Sequence, residues 1–268
     1  MRKLTIWFNN KFVEAKPVLL KSLTPGILKA KGVFETMRVS KGKVLFMEDH
    51  LKRMSRGVKV LGLKRPAWYQ RISQNIRELL RMNMLTDARV RVMLWQKGTG
   101  VHGAIVVEPF KVPTTRQGFK GMLSNGHKRS TSEPVKSLDY QIFRRSLQKA
   151  RAAGCDEAIL FNSKGELVEG SRTNIFLVKD NVLLTPPVAS GCLPGVTRQR
   201  VLSRARRLKI RCAAKTLKTQ DLLDADEAFV TNALLGIMPL TRLGQKRIGI
   251  GKPGPLTLLL RLGLEKAG

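Results

Sequence analysis

A chain of 268 residues with 43% hydrophobic content is long enough for one large domain or two modest ones, and it buries enough apolar surface to exclude disorder. Fifty Lys and Arg against nineteen Asp and Glu leave a net charge of +31, which predicts a surface that attracts anions but names no function. Cys155, Cys192 and Cys212 include no C-x-x-C pair, so neither a disulfide framework nor a zinc ribbon is expected. His50, His102 and His127 stand apart, and no metal site is expected from them. No run approaches the roughly 18 apolar residues of a membrane helix, and the first residues lack a secretory apolar segment. A reduced, cytoplasmic setting is the expectation.

In chain order, LTIWFNNKFVEA reads as a hairpin turning at Asn9-Asn10, and GVFETMRVSKGKVLFM as a second one turning at Lys41-Gly42. Leu51, Met54, Val58 and Leu61 recur at helical spacing in a segment closed by Gly62. Pro66 opens a helix running to Met84, with Ile72, Ile76, Leu79 and Leu80 on one face. Strands at ARVRVMLW and AIVVEPF complete this half.

Residues 112–134 are rich in Pro, Gly, Ser, Thr and Lys, with one short strand at Gly121–Leu123, and mark the domain boundary. A helix over Ser137–Ala153 follows, then strands at EAILF, NIFLV and NVLLT, a helix over Val196–Leu208, and a strand at DEAFVTN. The expectation is an α+β protein with a small N-terminal α/β domain over 1–114, a linker over 115–130, and a larger C-terminal domain over 131–268.

Several chemical signatures are weak or absent. Gly249, Gly251 and Gly254 spell G-x-G-x-x-G, but no buried strand of a βαβ unit precedes them and Pro253 lies inside. Neither a phosphate-loop nor a G-x-S-x-G signature occurs. The basic runs RQRVLSRARRLKIR and KRPAWYQR suit a nucleic-acid groove, yet only 6% of residues are aromatic, so a solvated basic face with at most non-specific nucleic-acid binding is expected.

A sharper pattern runs through Gly32-Val33-Phe34-Glu35-Thr36-Met37-Arg38, Glu48-Asp49-His50-Leu51-Lys52-Arg53, Lys136-Ser137-Leu138, Asp156-Glu157-Ala158, Glu169-Gly170-Ser171, Asn174-Ile175-Phe176, Thr185-Pro186-Pro187, Gly195-Val196-Thr197-Arg198 and Thr231-Asn232-Ala233-Leu234. In order and spacing these segments resemble the fold-type IV pyridoxal-phosphate enzymes, or class IV aminotransferases. That family includes branched-chain aminotransferases, D-amino-acid transaminases and 4-amino-4-deoxychorismate lyases.

The resemblance implies pyridoxal 5'-phosphate as cofactor, a two-domain fold whose larger domain is a pseudo-barrel, and a homodimer. It puts Lys136 at the Schiff-base position, where its amine also shuttles the substrate Cα proton. Glu169 matches the carboxylate facing the pyridine nitrogen, Arg53 the phosphate-binding guanidinium, and Val196 and Thr197 the backbone phosphate cup. Tyr140, Ser171, Asn174, Asn232 and Ala233 complete the implied cofactor set; Arg38, Lys97 and Arg172 are the candidates for meeting substrate carboxylates.

Ala233 departs from the Ser or Thr of many relatives and offers only its N–H, and Gln96-Lys97-Gly98 replaces a common Arg-Gly. The segment TNALLGIMPLTRLG and the FETMR stretch are most similar to the lyases. The implied reaction is release of pyruvate and 4-aminobenzoate from a small anionic amino-acid-type substrate. The alternatives are transamination of branched-chain or D-amino acids with 2-oxoglutarate and, more remotely, a nucleic-acid binder on an inactive scaffold.

Overall fold

Both hairpins form, and their turns explain why. In the computed structural model, which describes residues 4–113, 117–127 and 133–266, Asn9 and Asn10 take φ of 45° and 68°, and Lys41 and Gly42 take 50° and 78°. Two successive left-handed residues match the twist of the flanking strands. Parts of the expected linker, 115–116 and 128–130, lie outside the described residues.

The chain forms two compact units. The first comprises the described part of 1–112 together with Val135–Gln141. Its elements are β1 (Thr5–Phe8), β2 (Lys11–Glu14), α1 (Pro17–Ser22), β3 (Gly32–Ser40), β4 (Lys43–Val44), α2 (Met47–Val60), α3 (Ile72–Asn83), β5 (Ala88–Lys97) and β6 (Gly100–Pro109). The strands make one sheet in the order β2-β1-β6-β5-β3-β4, antiparallel throughout. Alternation along β3 and β5 divides the core. Val33, Met37, Val39, Val90, Val92 and Leu94 pack with α2 and α3, while Phe34, Met93 and Trp95 pack with Ile6, Val106 and Leu138 on the other face.

The second unit comprises the described part of 113–134 and 142–267. It holds β7 (Phe119–His127), most of α4 (Gln141–Ala152), β8 (Glu157–Phe161), β9 (Leu167–Gly170), β10 (Asn174–Lys179), β11 (Val182–Thr185), α5 (Val196–Arg207), β12 (Cys212–Ala214), α6 (Thr219–Leu223), β13 (Glu227–Asn232), β14 (Gly236–Leu243), β15 (Lys246–Arg247) and α7 (Pro255–Lys266). Its curled sheet runs β12-β11-β10-β13-β14-β7-β8-β9, with β15 beside β14.

Two expected helices start late. Residues 67–71 form a 3₁₀ turn before α3, so the α-helix does not begin at Pro66. The helix placed over Ser137–Ala153 begins at Gln141, because the preceding residues are extended beside β3: Phe34 N–H donates to the Lys136 carbonyl at 3.0 Å and Leu138 N–H to the Gly32 carbonyl at 2.9 Å. The G-x-G-x-x-G glycines lie between β15 and α7. There the Glu227 carboxylate accepts the Leu256 and Thr257 N–H groups at 2.9 and 2.8 Å, occupying the helix start that a dinucleotide would need.

Candidate active site

In the first unit, β3 turns Glu35 toward α2, and the i, i+3 pair His50 and Arg53 lies on the helix face that meets it. Glu35 is fully buried. Its Oε1 accepts the Arg53 Nε–H at 2.8 Å, and its Oε2 accepts Nη2–H at 2.7 Å and lies 2.8 Å from His50 Nδ1. Burial pushes the Glu35 carboxyl up, but the charge and hydrogen bonds of Arg53, with His50, outweigh it and hold the pKa at about 2. Burial drives the His50 pKa below its ordinary value against the pull of Glu35. A neutral imidazole beside a carboxylate donates through Nδ1, which leaves Nε2 as an acceptor, and Nε2 is buried without a partner among the described residues.

The 135–141 segment brings Lys136 into this unit. With its carbonyl held by Phe34 N–H, Lys136 sets its Nζ 4.5 Å from the centre of the Phe34 ring and 5.8 Å from that of Tyr140. The two rings meet edge to face at 5.4 Å. Lys136, Tyr140 and Phe34 thus form one group, and the positive charge of Lys136 is among the influences lowering the His50 pKa. Arg38 and Lys97 do not come together. Arg38 pairs across the sheet with Arg89, and Lys97 lies eight residues further along β5, roughly 26 Å at strand rise.

In the second unit, Glu157 organises the turn that follows β9. Its carboxylate accepts the N–H groups of Ala158 and Ser171 at 3.0 Å, the Thr173 hydroxyl at 3.0 Å, and the Ser171 hydroxyl. Burial raises its pKa. Arg172 leans on the same centre: Nη2–H donates to the Asp156 carbonyl at 3.2 Å, and Nε lies 3.7 Å from Glu157 Oε2.

Two strands then hold one backbone residue. Glu169, buried on β9, accepts the Leu193 N–H at 3.0 Å, and Asn174 Nδ2–H on β10 donates to the Leu193 carbonyl at 2.8 Å. This fixes the approach to α5, whose first residues Val196 and Thr197 are buried, whose N-cap Gly195 supplies no side-chain cap, and whose first turn holds no acid. At the end of β13, Asn232 Oδ1 accepts the Leu234 and Leu235 N–H groups at 3.0 and 2.8 Å, and its Nδ2–H donates to the Arg172 carbonyl at 3.2 Å. Ala233 is partly buried in that turn.

An uncapped helix start beside glycine suits a phosphate, because its N–H groups lack internal partners and a Cβ on Gly195 would lie 2.0 Å from Asn174 Oδ1. The sequence alone assigns no role to Glu35, His50, Glu157 or Arg198. A signal is present for Glu35: it shares one face of the strand with the apolar Val33 and Met37, which turns a carboxylate inward and demands a cationic partner. Among the described residues, no group of His, Cys, Asp and Glu is arranged to hold a metal ion, and no helix is long and apolar enough to cross a membrane.

Known proteins are similar to this chain over nearly its whole length. The chain is 30% identical to a provisionally named branched-chain-amino-acid aminotransferase of Methanocaldococcus jannaschii, over 96% of this chain and 94% of that one. It is 27% identical to the aminodeoxychorismate lyase of Bacillus subtilis, over 97% and 94%. The crystal structure of a branched-chain aminotransferase from the thermophilic archaeon Thermoproteus uzoniensis, with norvaline, superposes with a TM-score of 0.88 at 27% identity, covering 99% of this chain and 94% of the other. The sequence model of amino-transferase class IV matches residues 32–243, a span that includes the Glu35–Arg53 pair, Lys136, Glu169 and the start of α5; the chain belongs to the class IV aminotransferases, which use pyridoxal 5'-phosphate.

Proposed function

We propose that the enzyme holds pyridoxal 5'-phosphate and is a lyase releasing pyruvate and 4-aminobenzoate from 4-amino-4-deoxychorismate. Lys136 carries the cofactor aldehyde, Glu169 faces the ring nitrogen, and Arg53 with the N–H groups of Val196, Thr197 and Ala233 takes the phosphate. When bound, pyridoxal phosphate draws electrons from the substrate carbon bearing the amine, which makes the proton on that carbon removable.

The Lys136 amine would take that proton as base and, as acid, give a proton to the departing enolpyruvyl fragment, a pair of tasks that guanidinium, always protonated, does not perform. The Phe34 and Tyr140 rings flank Nζ and narrow the directions it can take. Glu35 holds the Arg53 fork in one orientation. Breakage of the substrate's bond to its enolpyruvyl oxygen accompanies aromatisation, and the three-carbon fragment leaves as pyruvate.

The carrying observation is the turn after β13. Asn232, not a hydroxyl residue, organises it with Ala233 at its crest, in a segment, TNALLG, similar to that of the lyases. The test is release of pyruvate and 4-aminobenzoate by purified protein with no keto acid present; strict dependence on 2-oxoglutarate rejects the lyase. The 30% identity to the archaeal aminotransferase favours a second reading, transamination of branched-chain amino acids, which the same assay separates. Assembly as a homodimer is part of the proposal, and light scattering checks it.

A further inference from the structure

Arg198 is buried, with 4% of its surface exposed, yet it forms no ion pair among the described residues. Its Nη2–H donates to the Pro186 carbonyl at 3.0 Å, and its Nε is buried without a partner. A guanidinium withdrawn from water against one neutral carbonyl is expensive. Its place adds to the cost: Arg198 is the third residue of α5, in the first turn, where the helix dipole opposes a cation. Both penalties vanish if an anion occupies the start of that helix.

The side chain leaves the helix leaning toward that end. Cα–Cβ bonds of a helix tilt toward its N-terminus, and the Arg198 Cβ would be 3.3 Å from a Cβ built on Gly195, the N-cap. We propose that Arg198 is a positioning residue for the cofactor phosphate: its buried positive charge, held behind the first turn of α5, sets the field that favours the dianion at the N–H groups of Val196 and Thr197. This inference rests on the reading that α5 receives the phosphate. Its grip on Pro186 also braces the loop leading to Leu193, so charge and hydrogen bonding must be tested apart.

The full-length protein is freed of cofactor and titrated with pyridoxal 5'-phosphate and, separately, with pyridoxal, which lacks the phosphate. Arg198→Gln keeps a donor for Pro186 but removes the charge; Arg198→Lys keeps the charge. The Gln variant is expected to bind pyridoxal phosphate about tenfold more weakly while its affinity for pyridoxal stays the same, and the Lys variant to keep the wild-type preference for the phosphorylated form. Equal loss of both ligands in the Gln variant, or no loss of either, overturns the proposal. Should the Gln variant fail to fold, a Lys variant that has lost the preference also overturns it. A wild-type protein that binds the two ligands equally refutes the phosphate reading of α5 itself, a result distinct from either.

Discussion

Arg53 meets Glu35 through two parallel hydrogen bonds, and the carboxylate that receives them has no exposure to solvent. The pair places a guanidinium on α2 in a single orientation, with Nε and one terminal nitrogen committed to the protein. Replacing Glu35 by Gln leaves that cation in place with only one good acceptor. Removal of one partner from a buried pair costs about 3–5 kcal/mol, and urea unfolding of Glu35→Gln is expected to show a loss of that order. A loss below about 1 kcal/mol, the range of exposed pairs, refutes the view that Glu35 holds Arg53.

The same cluster predicts an acid limit. The pKa of His50 lies below its ordinary 6.5, so below that pH the unfolded chain binds more protons than the folded one and stability falls as pH drops. Glu35, at about 2 instead of 4.5, adds a second loss of the same sign between those values. Glu157, with its pKa raised by burial, acts oppositely, losing stability as pH rises above 4.5. The decisive comparison is therefore wild type against His50→Asn. The variant should lack the decline that starts at 6.5, a slope of at most about 1.4 kcal/mol per pH unit, and retain the one below 4.5. Identical midpoint profiles for both proteins reject the assignment.

Lys136 is expected to be the point of covalent attachment. Its backbone carbonyl, not its side chain, receives the Phe34 N–H, so Lys136→Arg keeps the fold of the 135–138 segment. Arg stays protonated and forms no imine. Borohydride treatment of the holoenzyme should leave a phosphopyridoxyl group, the cofactor less one water and plus two hydrogens, on the peptide containing Lys136, and Lys136→Arg should be colourless with near-wild-type thermal stability. A labelled peptide elsewhere in the chain contradicts the site.

How far the sequence carried the structure depends on where the signal sat. The Asn9-Asn10 and Lys41-Gly42 turns were legible because left-handed φ at paired positions restricts residue choice. Helix α2 was legible from its apolar spacing and the start of α5 from a segment similar to a family, while the roles of Lys136 and Glu169 rest on that same similarity as proposals. Helix α7 was not: its leucines lie on all faces, Leu260 buried and Leu258, Leu259 and Leu262 exposed, so no period stands out. The late start of α4 also escaped, since extension at 136–138 comes from pairing with β3, a distant strand. Glu157 was visible as a residue but not as an organiser, because its partners Ser171 and Thr173 lie fourteen and sixteen positions away.

The approach to α5 supplies the last prediction. A methyl group on Gly195 would stand 2.0 Å from Asn174 Oδ1, so Gly195→Ala forces Asn174 off the Leu193 carbonyl. Glu169 then holds Leu193 through its N–H, and on the carbonyl side the local bond from the residue 195 N–H remains. The backbone angle is not at fault, since φ of −65° suits any residue; the cost is steric, about 1–3 kcal/mol. Because the clash involves one named atom, Asn174→Ala in the same chain should relieve it. In a double-mutant cycle read by thermal unfolding and by pyridoxal phosphate affinity, the two substitutions together should cost less than the sum of their separate effects. Strict additivity would place the strain elsewhere and detach Gly195 from the Asn174–Leu193 tether.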